Sequence, residues 1–595
     1  MKRLTVITAI ALVCVICSAQ TVISPNKKLK AEFIQQENKT MLMVYYNNVK
    51  VNSVTFGLEC MNEQYDNLTF VSSKKAKVKE SYTTVHGKRA KRTNKANELK
   101  VNFSNPSGHP IAIIVRAYND GIAFRYSLPQ ATSESVLNAD HTCYDLSAST
   151  SRWQQKYITC YEEDFPEHTS FDDGQWGYPL LTKTSNAWTL ITEADIDRFC
   201  CATHLRSEGT KYYVTFPFDW EGRNTGSVCP TLCSNWQSPW RVMIIGELST
   251  IVESTLVEDV CPASRIKDTS WIKPGRASWV YWAYNRGTKD FQICKQYVDL
   301  AKAMNWEYVL FDWEWDQMSN GGNLRDAADY AASNGIKPLL WYNSGGDHTY
   351  VMGTPRDRMI THESRIKEFK WLKEMGFVGV KVDFFESDKQ NMMNYYIDIL
   401  EDAADMQMMV DFHGCTLPRG WSRTYPNLIS MEAVFGAEQY NNTPRMTNTA
   451  PRLNCTLPFT RNVVGPMDYT PVAFTNSQHP HITTSNHELA LAVVFESAIQ
   501  NWADRPLGFY SLPDDKKDFM KHVPTAWDDT KFIDGYPGKY IVMARRKGDK
   551  WYVAALNGED KARDIVIDLS FIKKPAQTIT LQPYDGYVSI IENIR

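Results

Sequence analysis

Gly379-Val380-Lys381-Val382-Asp383-Phe384-Phe385-Glu386 and, further on, Met431-Glu432-Ala433-Val434-Phe435-Gly436-Ala437-Glu438 decide how this chain of 595 residues is read. Each is a short apolar run that ends in carboxylates. Side chains alternate along a strand, so Lys381 and Asp383 share one face of the first segment and Val380 and Val382 the other. The valines suit contact with covering helices. Lys381 and Asp383 then point into the mouth of a parallel barrel, where carboxylates at strand ends do chemistry. The 55 positions from Asp383 to Glu438 span two neighbouring βα units with one more strand between them. That strand ends in Val410-Asp411-Phe412-His413-Gly414 and brings His413 to the same mouth. Two carboxylates facing one sugar ring are the equipment of glycoside hydrolysis.

Outward from these segments, short apolar strands alternate with helical patterns. Strands are expected over 277–283, 308–312, 338–342, 379–383, 408–412 and 428–432, and helices over 290–304, 325–334, 363–374 and 391–404. Six such units point to a (β/α)₈ TIM-like barrel, with its last two units blurred around 463–471 and 489–510. A doubly wound open sheet is the alternative, and the lack of a glycine-rich phosphate loop disfavours its nucleotide-binding version. Residues 20–265 alternate in the manner of an antiparallel β-sandwich. The strand pattern returns over 516–595, where Tyr540–Arg546 and Trp551–Leu556 read as a hairpin across Lys547-Gly548-Asp549-Lys550. The organisation is therefore an N-terminal β-sandwich (20–265), a catalytic barrel (266–515) and a small C-terminal β-domain (516–595).

The N-terminus reads as a cleavable export signal over 1–19. It has basic Lys2 and Arg3, an apolar core from Leu4 to Ile16 that is too short to span a membrane, and small residues before Gln20. A lipoprotein is the rival reading, and neither Cys14 nor Cys17 follows the small residue a lipobox needs. A periplasmic location is expected, with no membrane partner after cleavage. The net charge of −3, without a basic run, gives no sign of a nucleic-acid partner. Eleven of the thirteen cysteines lie beyond the leader, an odd number that forbids complete pairing, although an oxidising compartment permits some disulfides. Eighteen Trp and thirty Tyr suit sugar stacking or plain sandwich packing. The clusters Trp279-Val280-Tyr281-Trp282 and Phe311-Asp312-Trp313-Glu314-Trp315-Asp316 fall at strand ends, and Trp282 and Trp313 are the candidates for a sugar-stacking wall.

The residues alone leave alternatives open. Lys381 and Asp383 are either a working pair or a structural ion pair. His413 is either catalytic or a satisfied structural histidine. Glu432 and Glu438 are either solvated loop carboxylates or hosts for a hard cation such as calcium.

Ile191-Thr192-Glu193-Ala194-Asp195, Lys273-Pro274-Gly275-Arg276-Ala277-Ser278-Trp279, Lys381-Val382-Asp383-Phe384, Arg423-Thr424-Tyr425-Pro426-Asn427 and Glu432 through Glu438 together resemble glycoside hydrolase family 97 along nearly the whole mature length. The resemblance implies the same three-part architecture and an active-site Ca2+ held by Glu193, Glu432 and Glu438. It also separates two mechanisms. The family's inverting α-glucosidases carry a glutamate base directly after the histidine that corresponds to His413, and here that place is Gly414. Its retaining members carry an aspartate where this chain has Asp383. The resemblance thus implies an exo-acting retaining α-galactosidase with Asp383 as nucleophile and Glu438 as acid/base, their carboxyl groups roughly 5–5.5 Å apart. Lys381 and His413 would bind sugar hydroxyls, and the partner would be an α-galactoside oligosaccharide. An inverting α-glucosidase, a β-L-arabinopyranosidase of the same family and a non-catalytic glycan-binding protein are the other readings.

Overall fold

The computed structural model of the protein describes residues 20–36, 39–280 and 287–592. The expected leader and Trp282 lie outside them.

Between Thr21 and Gly246 the chain is built mainly of antiparallel strands. Period-two patterning produces them. In Leu29–Gln36 the buried side chains are Leu29, Ala31 and Phe33. Its partner Lys39–Tyr46 buries Thr40, Leu42, Val44 and Tyr46, in register Leu29↔Tyr46 and Phe33↔Leu42. A long hairpin, Thr69–Thr83 with Lys91–Ser104, extends from this domain. Lys74, Lys75, Lys77 and Lys79 stud its exposed arm, a composition that discourages pairing with another chain. Its tip reaches the central domain. Arg423 Nη2 donates to Glu80 Oε2 at 2.7 Å, and the His86 ring lies 2.8 Å from the Pro426 carbonyl.

The central sheet is parallel and has seven strands: Gly275–Trp279, Tyr308–Phe311, Lys337–Asn343, Gly379–Asp383, Met409–Phe412, Leu428–Met431 and Ile499–Trp502, the last pairing with the first. Alternation sorts their side chains. Val309, Phe311, Leu340, Tyr342, Val380, Val382, Val410 and Phe412 join the large core under the helices. Leu310, Leu339, Met409, Ile429 and Ile499 form a separate apolar plug inside the barrel. Above that plug the inward positions turn polar, and Lys381 pairs in register with Asp411.

Among the described residues the expected eight strands are seven. The blurred unit around 463–471 forms no strand, because Gly465, Pro466 and Pro471 interrupt it and Thr470 and Val472 have φ of 51° and 70°. It still bridges the gap: Asp468 N donates to Met431 O and Met467 N to Glu496 O, each at 3.0 Å. One direct bond, Ala498 N to Ile429 O at 3.2 Å, joins the sixth and seventh strands. The buried guanidinium of Arg461 replaces the missing ladder. It donates to the carbonyls of Met431, Glu432, Ala433, Gly465 and Pro466 at 2.9–3.2 Å.

The C-terminal domain holds a four-stranded antiparallel sheet and a two-stranded one. Its hairpin pairs Lys547 with Lys550 across Gly548, whose φ is 61°. The domain is fastened to the barrel by Arg545, which donates to Val493 O at 2.7 Å and Val494 O at 3.0 Å. None of the eleven described cysteines is paired, so the disulfides an oxidising compartment permits are not formed.

Arg461→Met keeps the bulk but orphans buried carbonyls, so a loss of about 3 kcal/mol or more is expected, with a lower melting temperature and loss of turnover. A variant that melts with the parent would contradict the closing role of Arg461.

Candidate active site

Asp383 ends the fourth strand and is only 8% exposed. Its Oδ2 accepts from Trp341 Nε1 at 3.0 Å. The next residue, Phe384, has φ of 73°, a left-handed backbone that is costly for an aromatic residue and survives only where surroundings impose it. Those surroundings are bonds from Phe384 N to His413 O at 3.3 Å, Phe385 N to Gly414 O at 2.9 Å and Ser344 N to Asp383 O at 2.9 Å.

Gly414 is the tight point. Its φ is 47°, and a Cβ there would lie 2.8 Å from both Asp383 Oδ1 and Phe384 N. No larger residue fits at 414 while Asp383 stays in place. Gly414 N also donates to Glu432 Oε2 at 2.9 Å.

His413 stands between carboxylates. Its Nδ1 lies 3.2 Å from Glu432 Oε2 and its Nε2 2.8 Å from Asp468 Oδ2. Burial opposes the charged imidazolium, but Glu432 and Asp468 override it and raise the pKa well above the usual histidine value. Both ring nitrogens are thereby engaged as donors. Both ring nitrogens of His413, expected to bind sugar hydroxyls, face carboxylates of the protein. Asp468 is further held by Asn501 Nδ2 at 2.6 Å, and the same amide reaches Asp411 Oδ2 at 3.0 Å.

Lys381 lies beside Asp383 as the alternation requires. Its Nζ donates to Asp312 Oδ2 at 3.0 Å and sits 4.3 Å over the Trp279 ring. Trp279 Nε1 donates to the same Asp312 oxygen at 2.8 Å. Of the expected wall, Trp313 stacks on Trp341 with centroids 5.7 Å apart and planes 12° apart, and Phe384 closes the cluster edge-on at 6.1 Å.

Glu432 follows the sixth strand, and Glu438 opens the short helix Gln439–Asn442. Ligand atoms of His413, Glu432 and Glu438 all lie within 4.8 Å of one another. Burial and the neighbouring Glu432 push Glu438 up to about 8. Burial also raises Asp383, but Lys381 and His413 hold it to about 6.

Glu193 is not brought to this group. It is fully buried in another network: Oε1 accepts from Arg419 Nε at 2.7 Å and Thr203 N at 2.9 Å, and Oε2 accepts from Thr203 Oγ1 at 2.6 Å and from Arg241. Two guanidiniums saturate it, so the ligand role expected of Glu193 is corrected. The N-terminal domain reaches the carboxylates through Glu162 instead. Gln439 Nε2 donates to Glu162 Oε2 at 2.9 Å, and burial together with Glu432, Glu438 and Asp383 drives the Glu162 carboxyl well above its usual range. Glu193 acts one step back: Arg419, which it holds, donates to Tyr161 Oη at 2.9 Å, next to Glu162.

Glu162, Glu432 and Glu438 repel one another, and carboxylate oxygens such as those of Glu432 and Glu438 are the donor chemistry of a hard divalent cation. His413 lies beside them, its Nδ1 3.2 Å from Glu432 Oε2. Sequence reading missed Glu162, Asp468 and Trp341 and left Asp312 unassigned inside its aromatic cluster. Trp341 and Asp312 lay at the ends of expected strands and were findable by that position. Glu162 and Asp468 carried no such signal.

The sequence signatures described as Glycosyl-hydrolase 97 N-terminal, Glycoside hydrolase 97, and Glycosyl-hydrolase 97 C-terminal, oligomerisation, match residues 22–262, 276–434 and 526–586. A probable retaining alpha-galactosidase of Streptomyces bingchenggensis is 33% identical over 80% of this chain and 73% of its own. The retaining alpha-galactosidase of Bacteroides thetaiotaomicron is 29% identical over 78% of this chain and 76% of its own. A crystal structure of a beta-arabinopyranosidase superposes with a TM-score of 0.90 at 31% identity, covering 96% of this chain and all of that one. With its parallel barrel, its buried carboxylates at the strand ends and these relatives, the chain belongs to glycoside hydrolase family 97 and is a glycoside hydrolase.

Proposed function

We propose that the protein is a retaining exo-α-galactosidase. The observation that carries this reading is the contact between Gly414 and Asp383. The position after His413 has no space for a side chain while Asp383 is in place, so a glutamate base at 414 and a nucleophile at 383 exclude each other sterically. The ordering of the two carboxyls supports the same roles. Burial raises both carboxyls, and Lys381 and His413 hold Asp383 below Glu438, the order that suits a nucleophile and a proton donor.

In the first step Asp383 attacks the anomeric carbon while the bond to the leaving oxygen breaks. The electron pair goes to that oxygen, which takes the proton of Glu438. The product is a β-linked glycosyl ester on Asp383. In the second step Glu438 takes a proton from water, the water oxygen attacks the anomeric carbon, and Asp383 leaves as a carboxylate. Two displacements restore the α configuration. Trp341 orients Asp383 through its indole N–H, and Lys381, locked by Asp312, supplies positive charge beside the nucleophile.

The carboxylates Glu162, Glu432 and Glu438 would hold calcium, which when bound offsets their repulsion and polarises nearby oxygen. A second reading, hydrolysis of β-L-arabinopyranosides, is favoured by the beta-arabinopyranosidase likeness over 96% of the chain. That sugar differs from galactose only by the missing exocyclic carbon. Nitrophenyl α-galactoside, α-glucoside and β-L-arabinopyranoside assayed side by side separate these readings.

Asp383→Gly should abolish turnover of nitrophenyl α-galactoside, and azide, entering the space of the lost carboxylate, should restore it as a β-galactosyl azide product. Full activity without azide would sink the nucleophile assignment. Gly414→Ala should fold yet lose about 100-fold or more in kcat, since a displacement of about 1 Å at a reacting group costs that much. Wild-type turnover in Gly414→Ala would remove the steric argument. For the cation, calcium affinity measured by calorimetry should fall in Glu162→Gln and hold in Glu193→Gln, whereas the melting temperature should fall in Glu193→Gln, which strands Arg241 and Arg419. The reverse pattern would reinstate Glu193 as ligand.

A further inference from the structure

Two aromatic rings stand in solvent beside the mouth of the barrel. Trp220 is 57% exposed and Tyr350 73% exposed. Trp220 precedes a turn, Glu221–Asn224, in which Gly222, Arg223 and Asn224 all have left-handed φ of 54°, 54° and 62°. Such a run of strained residues persists only where its surroundings over-determine it.

The surroundings are the loop just beyond the nucleophile. Buried Glu221 accepts through Oε1 from Phe218 N and Tyr157 Oη, each at 2.8 Å, and through Oε2 from Asp388 N at 2.9 Å. Gly222 N donates to Glu386 O at 2.9 Å. Lys389 Nζ donates to the carbonyls of Asp219, Glu221 and Thr225 at 2.8–3.2 Å. A Cβ on Gly222 would lie 3.2 Å from Ser387 and 3.5 Å from His348, so the turn is wedged between the loops that follow the third and fourth strands.

The rings are anchored as well. Trp220 stacks on Phe218 at 5.7 Å and 16°, Phe218 leans on His204 at 4.9 Å, and His204 stacks on buried Tyr157 at 3.9 Å and 7°. On the neighbouring loop the Arg223 guanidinium lies 4.2 Å over the Tyr350 ring. That loop is tied to the residue after Asp383, because Ser344 Oγ lies 2.8 Å from both Phe384 O and His348 Nε2.

Core packing does not explain rings that face water, and the turn that carries Trp220 is bonded to the loop that follows Asp383. We propose that Trp220 and Tyr350 form an outer platform that stacks the leaving-group sugars of an oligosaccharide substrate, with Arg223 offering donors to their hydroxyls. A fixed aromatic face presents apolar area to the C–H side of a pyranose at little cost in conformational entropy. The proposal rests on the glycosidase reading given above and adds to it the part of the substrate beyond the scissile bond.

The test compares an α-galactosyl trisaccharide with α-galactosyl fluoride, whose leaving group is a single atom. In Trp220→Ala and Tyr350→Ala, kcat/KM for the trisaccharide should fall about tenfold, mainly through KM, as loss of one stacking contact implies. The fluoride should stay within about twofold on the same grounds. Trp220→Phe, which keeps a ring, should recover most of the loss. Equal losses on both substrates would make the rings merely structural, and an unchanged trisaccharide would remove the platform. If the wild-type enzyme turns over neither galactosyl substrate, the α-galactosidase reading falls. The same ratio is then measured with β-L-arabinopyranosyl fluoride and the matching oligosaccharide, and it decides the platform independently.

Discussion

The imidazolium of His413 is the charge on which the centre of this molecule depends. It is buried, where a lone cation is costly, and it stays charged because Glu432 and Asp468 flank it. The ring follows the fifth strand, and its two partners come from other places in the barrel wall: the loop after the sixth strand and the irregular segment that stands in for a strand. One ring therefore ties the irregular segment, which belongs to no ladder, to the paired fifth and sixth strands. It also leaves the mouth with a carboxylate excess. Among the described residues, Asp383, Glu432 and Glu438 have Lys381 and His413 as nearby cations, and Asp312 already claims Lys381. Such a site is balanced by protons, by a metal ion or by both. That is why Glu438 and Glu162 rise while Glu432, bonded to His413 and to Gly414 N–H, falls despite its burial.

The N-terminal domain is part of this site, not an appendage to it. Its strand bearing Glu193 is clamped to the barrel loop by Arg419, and Arg419 in turn steadies Tyr161 beside Glu162. The same domain sends the Trp220 turn between the loops after the third and fourth strands. The barrel supplies Asp383 and Glu438, the proposed nucleophile and acid, and the sandwich supplies Glu162 and the Trp220 turn. Separation of the two domains would strand charge on both sides, since Arg241 and Arg419 share Glu193 and removing one partner of a buried pair is costly.

The gap in the barrel has a related logic. A seventh regular strand between the sixth and the last would direct side chains in and out by alternation. The segment Gly465–Val472 is free of that rule, and its left-handed residues let Asp468 turn toward His413. Arg461 meets the cost in lost backbone pairing with its five carbonyl contacts. The barrel gives up one ladder and gains an acidic group where regular geometry would not place it.

Much of this was legible in the sequence because it depends on local periodicity. Alternation in 379–383 placed Lys381 and Asp383 on one face and the valines on the other, and the strands that end at Asp383 and just before His413 and Glu432 are found where the pattern put them. The glycine at 414 was visible too, though not the reason for it, since a 2.8 Å approach to Asp383 is a fact about two strands and not about one. The remainder was decided by tertiary structure. Glu193 and Glu162 are both acidic residues of the same β-domain, and nothing in their flanking residues says which one meets two arginines and which one meets Glu432 and Glu438. That choice follows from how the sandwich docks on the barrel. Asp468 reaches His413 from a stretch with no strand signal because Arg461, not a ladder, holds the segment in place. Sequence by itself determined the elements, their order and the faces they present, which are set by interactions a few residues apart. The charge partners across domains were set only when the packed chain excluded water and each buried carboxylate had to find its cation.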